Sequence, residues 1–182
     1  MSDRTVTPFQ RQAAEFIAAL EQLDAGGLAR LKRNAGHTLA DARDVHRAFF
    51  QSLPYTVSER LHEDYFLIAT LFPLADNRAG AGNFGDTMRR VKQARGGDTS
   101  GRANSLDRRF ETLLDCEREH LHFRLRQAVR LAAASQQAID WTQLLLDIIG
   151  WDQPERRIQL RWARSYFVGK LEANSAEKEP QP

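Results

Sequence analysis

Helix punctuation constrains this chain more than any other feature. Start and stop signals recur along most of its length, in register with apolar residues at a spacing near 3.6. Thr7-Pro8-Phe9-Gln10 is a capping box with proline at the first helical position, opening a helix predicted to reach about Leu23 and to stop at Gly26-Gly27. A short helix is predicted over 28–34. Thr38-Leu39-Ala40-Asp41 opens another, ending near Pro54. Thr56-Val57-Ser58-Glu59 reads as a second capping box, for a helix reaching Phe72 ahead of Pro73. A short basic helix is expected over 86–95, and Ser105 starts the longest one, to about Ser135. Asp140-Trp141-Thr142-Gln143 and Asp152-Gln153-Pro154-Glu155 cap the last two. β signals are weak, so the expected class is all-α.

Two segments interrupt the periodicity, 75–85 and 96–104, both rich in Gly with Asn or Ser. They divide the chain into helical stretches at 1–95 and 105–170, and the length suits one compact unit or two small helical bundles sharing an interface. A flexible linker at 96–104 and a disordered tail at 171–182 complete the expected organisation. Hydrophobic residues make up 42% of the 182 positions, enough for a core. No apolar run approaches the roughly 20 residues of a membrane span. The longest, Tyr65 to Leu74 and Leu144 to Ile149, are core-sized. The start, Met1-Ser2-Asp3-Arg4, has no signal-peptide apolar stretch, and the single cysteine, Cys116, suits a reducing compartment. The expected setting is the cytoplasm, with no membrane contact.

Three patterns raise the question of chemistry. Gly80-Ala81-Gly82-Asn83-Phe84-Gly85 matches the dinucleotide fingerprint GxGxxG, but that motif needs a preceding strand, and a helix with Pro73 precedes it here. Glu59-x-x-His62 and Glu117-x-x-His120 repeat the Glu-x-x-His unit of di-metal carboxylate bundles, the sharpest enzyme reading available. Against it, Glu59 already closes a capping box, and no second pair of glutamates lies on apolar faces. Cys116 and the histidines form no nucleophile triad. The expectation is therefore no catalytic residue, no metal and no cofactor.

The cations are more informative. Net charge is only +2, yet residues 86–170 hold 16 basic and 11 acidic side chains where residues 1–85 hold 9 and 10. The basic set is 22 Arg against 4 Lys, and the planar guanidinium fits phosphate geometry. On the helix from Ser105 the apolar stripe is Leu106, Phe110, Leu113, Leu114, Leu121, Leu125, Ala128 and Ala132. Arg108, Arg126 and Arg130 fall together opposite it, Arg108 and Arg126 roughly 27 Å apart along one axis. On the last helix Arg157, Arg161 and Arg164 share the outer face at i, i+4, i+7. Arg89 and Lys92 oppose Phe84, Met88 and Val91, and Arg30, Lys32 and Arg33 cluster at a helix C-terminal turn. Each set taken alone is an ordinary solvated face. Four sets, with few acids beside 89–95 and 157–164, favour contacts with a phosphate backbone. A helical scaffold whose arginines meet acids of partner proteins is a rival reading. Trp141, Trp151 and Trp162 are placed for core packing rather than base stacking. Leu160 and Phe167 form a second apolar strip on the last helix, suited to docking or to packing between the bundles.

Three ordered blocks carry a family likeness: 20–33 (LEQLDAGGLARLKR); 83–93 (NFGDTMRRVKQ) with 107–114 (DRRFETLL); and 125–167, above all IDWTQLLLDIIGWDQPERRIQLRWARSYF. In these the chain resembles CasB, the small-subunit family of the type I-E CRISPR Cascade complex. Asn83 stands where a serine is common. The resemblance implies an all-α fold of two bundles, without catalysis. It implies two copies lying along the guide RNA and target strand beside the large subunit and the backbone subunits. It further implies contacts to guide RNA and to the displaced single-stranded DNA that stabilise the R-loop. Carried over block by block, the candidate contacts are Arg30, Lys32, Arg33, Arg89, Arg90, Lys92, Arg108, Arg109, Arg126 and Arg130. Arg157, Arg161 and Arg164 rest on the face argument.

Overall fold

The computed structural model describes residues 7–75, 79–96 and 101–168, and the described residues are helical with no strand. Nine α-helices follow one another among them: α1 (Pro8–Glu21), α2 (Ala25–Arg33), α3 (His46–Ser52), α4 (His62–Leu71), α5 (Phe84–Ala94), α6 (Gly101–Leu114), α7 (Arg118–Ala134), α8 (Trp141–Ile149) and α9 (Arg157–Phe167). The all-α expectation holds. The expected tail at 171–182 and residues 97–100 of the expected linker lie outside the described residues. The last residues of that linker form the first turn of α6.

Local signals explain several of these helices. The Thr7 hydroxyl accepts from the Gln10 amide at 3.2 Å, and the Gln10 side chain accepts from the Thr7 amide at 2.8 Å, closing the box that starts α1. Asp140 caps α8 by accepting from the Gln143 amide at 2.9 Å.

Other signals are redirected by tertiary contacts. Gly26 and Gly27 do not end α1; they lie in the first turn of α2, because the Asp24 carboxylate takes the Gly27 amide at 2.6 Å. The Thr38–Asp41 signal closes an isolated turn, with Thr38 donating to Asp41 at 2.8 Å, and the helix begins only at His46. Thr56 caps no described helix. Its hydroxyl accepts from the Gln12 side chain of α1 at 2.9 Å, and a 3-10 turn at Glu59–Leu61 leads into α4 instead. Asp152 gives no cap to α9, its carboxylate being held by Arg118. A 3-10 turn at Pro154–Arg156 precedes that helix.

The largest departure is the predicted long helix from Ser105. It breaks at Asp115–Glu117 into the two helices α6 and α7, which pack against each other. The carbonyls freed at the corner find side-chain donors. Arg156 donates to the Leu114 oxygen at 2.6 Å, and the Trp151 indole to the Cys116 oxygen at 3.4 Å.

One apolar cluster runs through the described residues. Every residue of α4 from Tyr65 to Leu71 is buried, and α4 and α1 both pack on α8. α5, assigned by sequence to the 1–95 bundle, packs chiefly against α9, meeting it at Gly85, with further contacts to α7 and α6. Phe84, tilted, and Trp151, edge-on, both pack against Trp162, with ring centroids 5.2 and 5.1 Å away.

Candidate nucleic-acid interface

The corner at 115–117 folds α7 back beside α6, and this places three arginines around one cavity. Buried Phe110 anchors α6, so its neighbours Arg108 and Arg109 stand at the surface. Arg124 reaches the same opening from α7. With Thr112 and Gln127 they rim a cavity of about 120 Å³ floored by Met88, Phe110, Ala128 and Leu131. No carboxylate of the described residues lines it. Arg108 and Arg109 have no side-chain hydrogen-bond or ion-pair partner among the described residues, and Arg124 meets only the Phe123 ring, 5.7 Å away. A neighbouring groove shares Arg108 and Arg124 but adds Glu111, Asp115 and Glu117, so the positive field is concentrated on one side of this pair.

The remaining candidates separate by what they already hold. Lys32, Arg130 and Arg164 are exposed and without a partner among the described residues. Arg30 and Arg33 share Asp44 at 3.6 and 3.9 Å, weak exposed pairs that a phosphate could replace. Arg89 is half-buried, its Nε unpaired among the described residues. Arg90 is a structural clamp, donating to the Ala81 oxygen, the Thr87 hydroxyl and the Ala138 oxygen at 3.3, 3.0 and 3.3 Å. Lys92 pairs with Asp107 at 3.2 Å, and the same carboxylate accepts from the Tyr166 hydroxyl at 2.6 Å.

Two expectations about the faces fail. Arg108, Arg126 and Arg130 do not lie along one helix axis, because the axis breaks between them. Arg126 leans toward the turn after α2: a Cβ on Gly36 would stand 3.2 Å from its Nη1. Nor is the 157–164 face uncompensated. Arg157 pairs with Glu155 at 3.0 Å, and Arg161 pairs with the buried Asp147. That carboxylate also accepts from the Trp162 indole at 2.6 Å and the Gln143 amide at 2.7 Å. Burial raises its pKa against the opposing pull of these donors.

Sequence reasoning misses two arginines. It places Arg124 in none of the four cation sets. It does not single out Arg118, yet that side chain joins Asp64 of α4, Asp152 and the Ile148 oxygen, the last at 3.0 Å. Its position three residues before the buried Leu121 is the available signal. Desolvation dominates at Asp64 and pushes its pKa up to about 6 despite the Arg118 charge.

The alternative chemistries find no geometry. No group of three or more His, Cys, Asp or Glu able to hold a metal ion occurs among the described residues. His62 stacks edge-on against Phe50, 5.8 Å between centroids, while Glu117 and His120 are exposed. No strand precedes the GxGxxG segment among the described residues. Its glycines serve packing, since a Cβ on Gly80 would stand 2.3 Å from the Ile139 carbonyl carbon. Trp141, Trp151 and Trp162 are buried, as core packing requires. No described helix is long and apolar enough to cross a membrane.

The sequence model of CRISPR-associated protein Cse2 matches residues 27–167. The chain belongs to the Cse2 family. The Cse2 protein of Thermus thermophilus is 36% identical over 119 residues, 64% of this chain. The chain spans 63% of that relative's length, under two thirds. A crystal structure of a Cse2-family protein from the same species superposes with a TM-score of 0.72 at 26% identity, covering 89% of this chain and 99% of that one. CasB from M. ruber gives 0.70 at 25% identity, with 87% and 93% covered. A chain of a CRISPR RNA-guided surveillance complex shares the fold, with a TM-score of 0.74 at 17% identity over 88% and 94%. The CasB resemblance read from the ordered blocks is thus confirmed. Asn83 caps α5: its side chain accepts from the Asp86 amide at 3.2 Å and donates to Ser165 at 2.7 Å.

Proposed function

We propose that this Cse2-family chain is the non-catalytic small subunit of a type I-E Cascade complex in the cytoplasm. It holds guide RNA, target and displaced DNA strands by their backbones and so stabilises the R-loop. The observation that carries this reading is the acid-free opening between α6 and α7, where Arg108, Arg109 and Arg124 converge without ion-pair partners among the described residues. Exposed Lys32, Arg130 and Arg164 extend the set of available cations. Guanidinium groups facing phosphate bind by charge and by paired hydrogen bonds, and they carry no sequence information. A subunit that serves every guide needs that indifference. R-loop formation exchanges one duplex for another of similar stability, so backbone contacts tip the balance. In the complex the chain meets the large subunit, the backbone subunits and a second copy of itself.

The test is binding of single-stranded DNA and RNA of unrelated sequences across a salt series, alone and in the assembled complex. The affinity should fall steeply with salt and ignore sequence. Arg108→Glu, Arg109→Glu and Arg124→Glu together should weaken it at least a hundredfold at low salt while leaving the helical content intact. Unchanged R-loop stability in a complex carrying all three reversals would remove the reading.

A further inference from the structure

We infer that the α6–α7 cavity takes a whole nucleotide of a single strand, seating the base on its floor while the rim holds the adjoining phosphate. This rests on the nucleic-acid reading and goes beyond it, because backbone contacts alone need no cavity. The floor is apolar, formed by Met88, Phe110, Ala128 and Leu131, and the rim is cationic. That division matches a nucleotide, whose π-face is apolar and whose phosphate is anionic. Thr112 and Gln127 add a hydroxyl and an amide at the edge, each able to donate or accept toward a base.

Size narrows the occupant. The cavity measures about 120 Å³. It admits one ring system and excludes a protein helix about 10 Å across. Charge narrows it further, because an acidic peptide side chain would satisfy the arginines but leave the apolar floor wet. The floor is also rigid. Phe110 is fixed by Tyr166, their centroids 4.3 Å apart, so the floor keeps its shape as a base seats over it. The strand must be single, since a paired base would first have to leave its stack at a cost of a few kcal/mol. The apolar contact reads no base edge, and Thr112 and Gln127 can each donate or accept as the base requires, so the seat remains tolerant of sequence.

The test compares a thymidine oligonucleotide with an abasic oligonucleotide of the same length, which keeps every phosphate and removes every base. The protein should prefer the base-bearing strand about tenfold, the effect of roughly 1.4 kcal/mol for seating one base. Ala128→Leu, which fills the floor, should abolish the preference while leaving the salt dependence in place. Thr112→Leu narrows the cavity from its exposed rim with an aliphatic side chain that offers no ring to a base, and should do the same without disturbing the core. Equal binding of both strands by the unaltered protein would overturn the nucleotide seat and leave the backbone reading standing. A tenfold preference that survives both variants would place the base elsewhere and also overturn it. Absence of binding to either strand at low salt would overturn both readings together.

Discussion

Gly85 of α5 lies against the backbone of α9 so closely that a Cβ on it would stand 2.1 Å from the Trp162 carbonyl oxygen. No flexible side chain lies between them to yield. Gly85→Ala must therefore separate the two helices at their main contact. The expected loss is about 3 kcal/mol, at the upper end for overpacking. Denaturant unfolding should show a lower midpoint with an unchanged slope.

Arg90 and Arg109 illustrate opposite uses of one side chain. Arg90 ties the α5 start to the Ala81 and Ala138 oxygens, with a third hydrogen bond to Thr87 of its own helix, whereas Arg109 faces solvent at the cavity rim. Arg90→Ala should cost ~1–2 kcal/mol of stability and leave the salt slope of nucleic-acid binding unchanged. Arg109→Ala should leave the unfolding midpoint unchanged and lower that slope by about 0.7, one single-strand phosphate contact.

The Asp64–Arg118 link predicts a pH effect with a definite sign. Burial raises the Asp64 pKa to about 6 from 3.8, so the native state holds its proton more tightly than the unfolded chain. Its contribution to stability is complete below pH 3.8 and is lost as pH rises through 6. The unaltered protein should lose stability over this range relative to Asp64→Asn, whose side chain cannot titrate. The difference should approach ~3 kcal/mol. Parallel unfolding series at about pH 4, 5, 6 and 7 would measure it, and coincident slopes for the two proteins would refute the assignment.

Asp147 is buried and joins three donors from α8 and α9. Asp147→Ala would leave the Trp162 indole N–H buried and unpaired, and would free Arg161. The expected cost is about 3–5 kcal/mol, as for breaking a buried charged network. Asp147→Asn should cost less, and a shift in Trp162 fluorescence would report the loss in either case.

Legibility in the sequence followed the range of the interaction. The start of α1 is readable because Thr7 and Gln10 satisfy each other locally. The α5 cap is equally local, Asn83 with Asp86, but the glycines around it draw attention to a phosphate fingerprint instead. The corner at 115–117 has no Gly or Pro to announce it. It depends on Arg156 and Trp151, 42 and 35 residues away from the carbonyls they hold. For the same reason a face wheel shows Arg161 as free. Its acid, Asp147, lies 14 residues back on another helix, and only folding brings them together. Arg108 and Arg109 are legible as exposed cations, whereas their convergence with Arg124 requires the corner.

That corner turns a lever into a clamp. On an unbroken helix Arg108 and Arg124 would sit about 24 Å apart along one axis, at 1.5 Å per residue, too distant to grasp a single nucleotide between them. Doubling the chain back makes reach into grip, and a change that straightened these three residues would keep every charge while dissolving the hand that holds them.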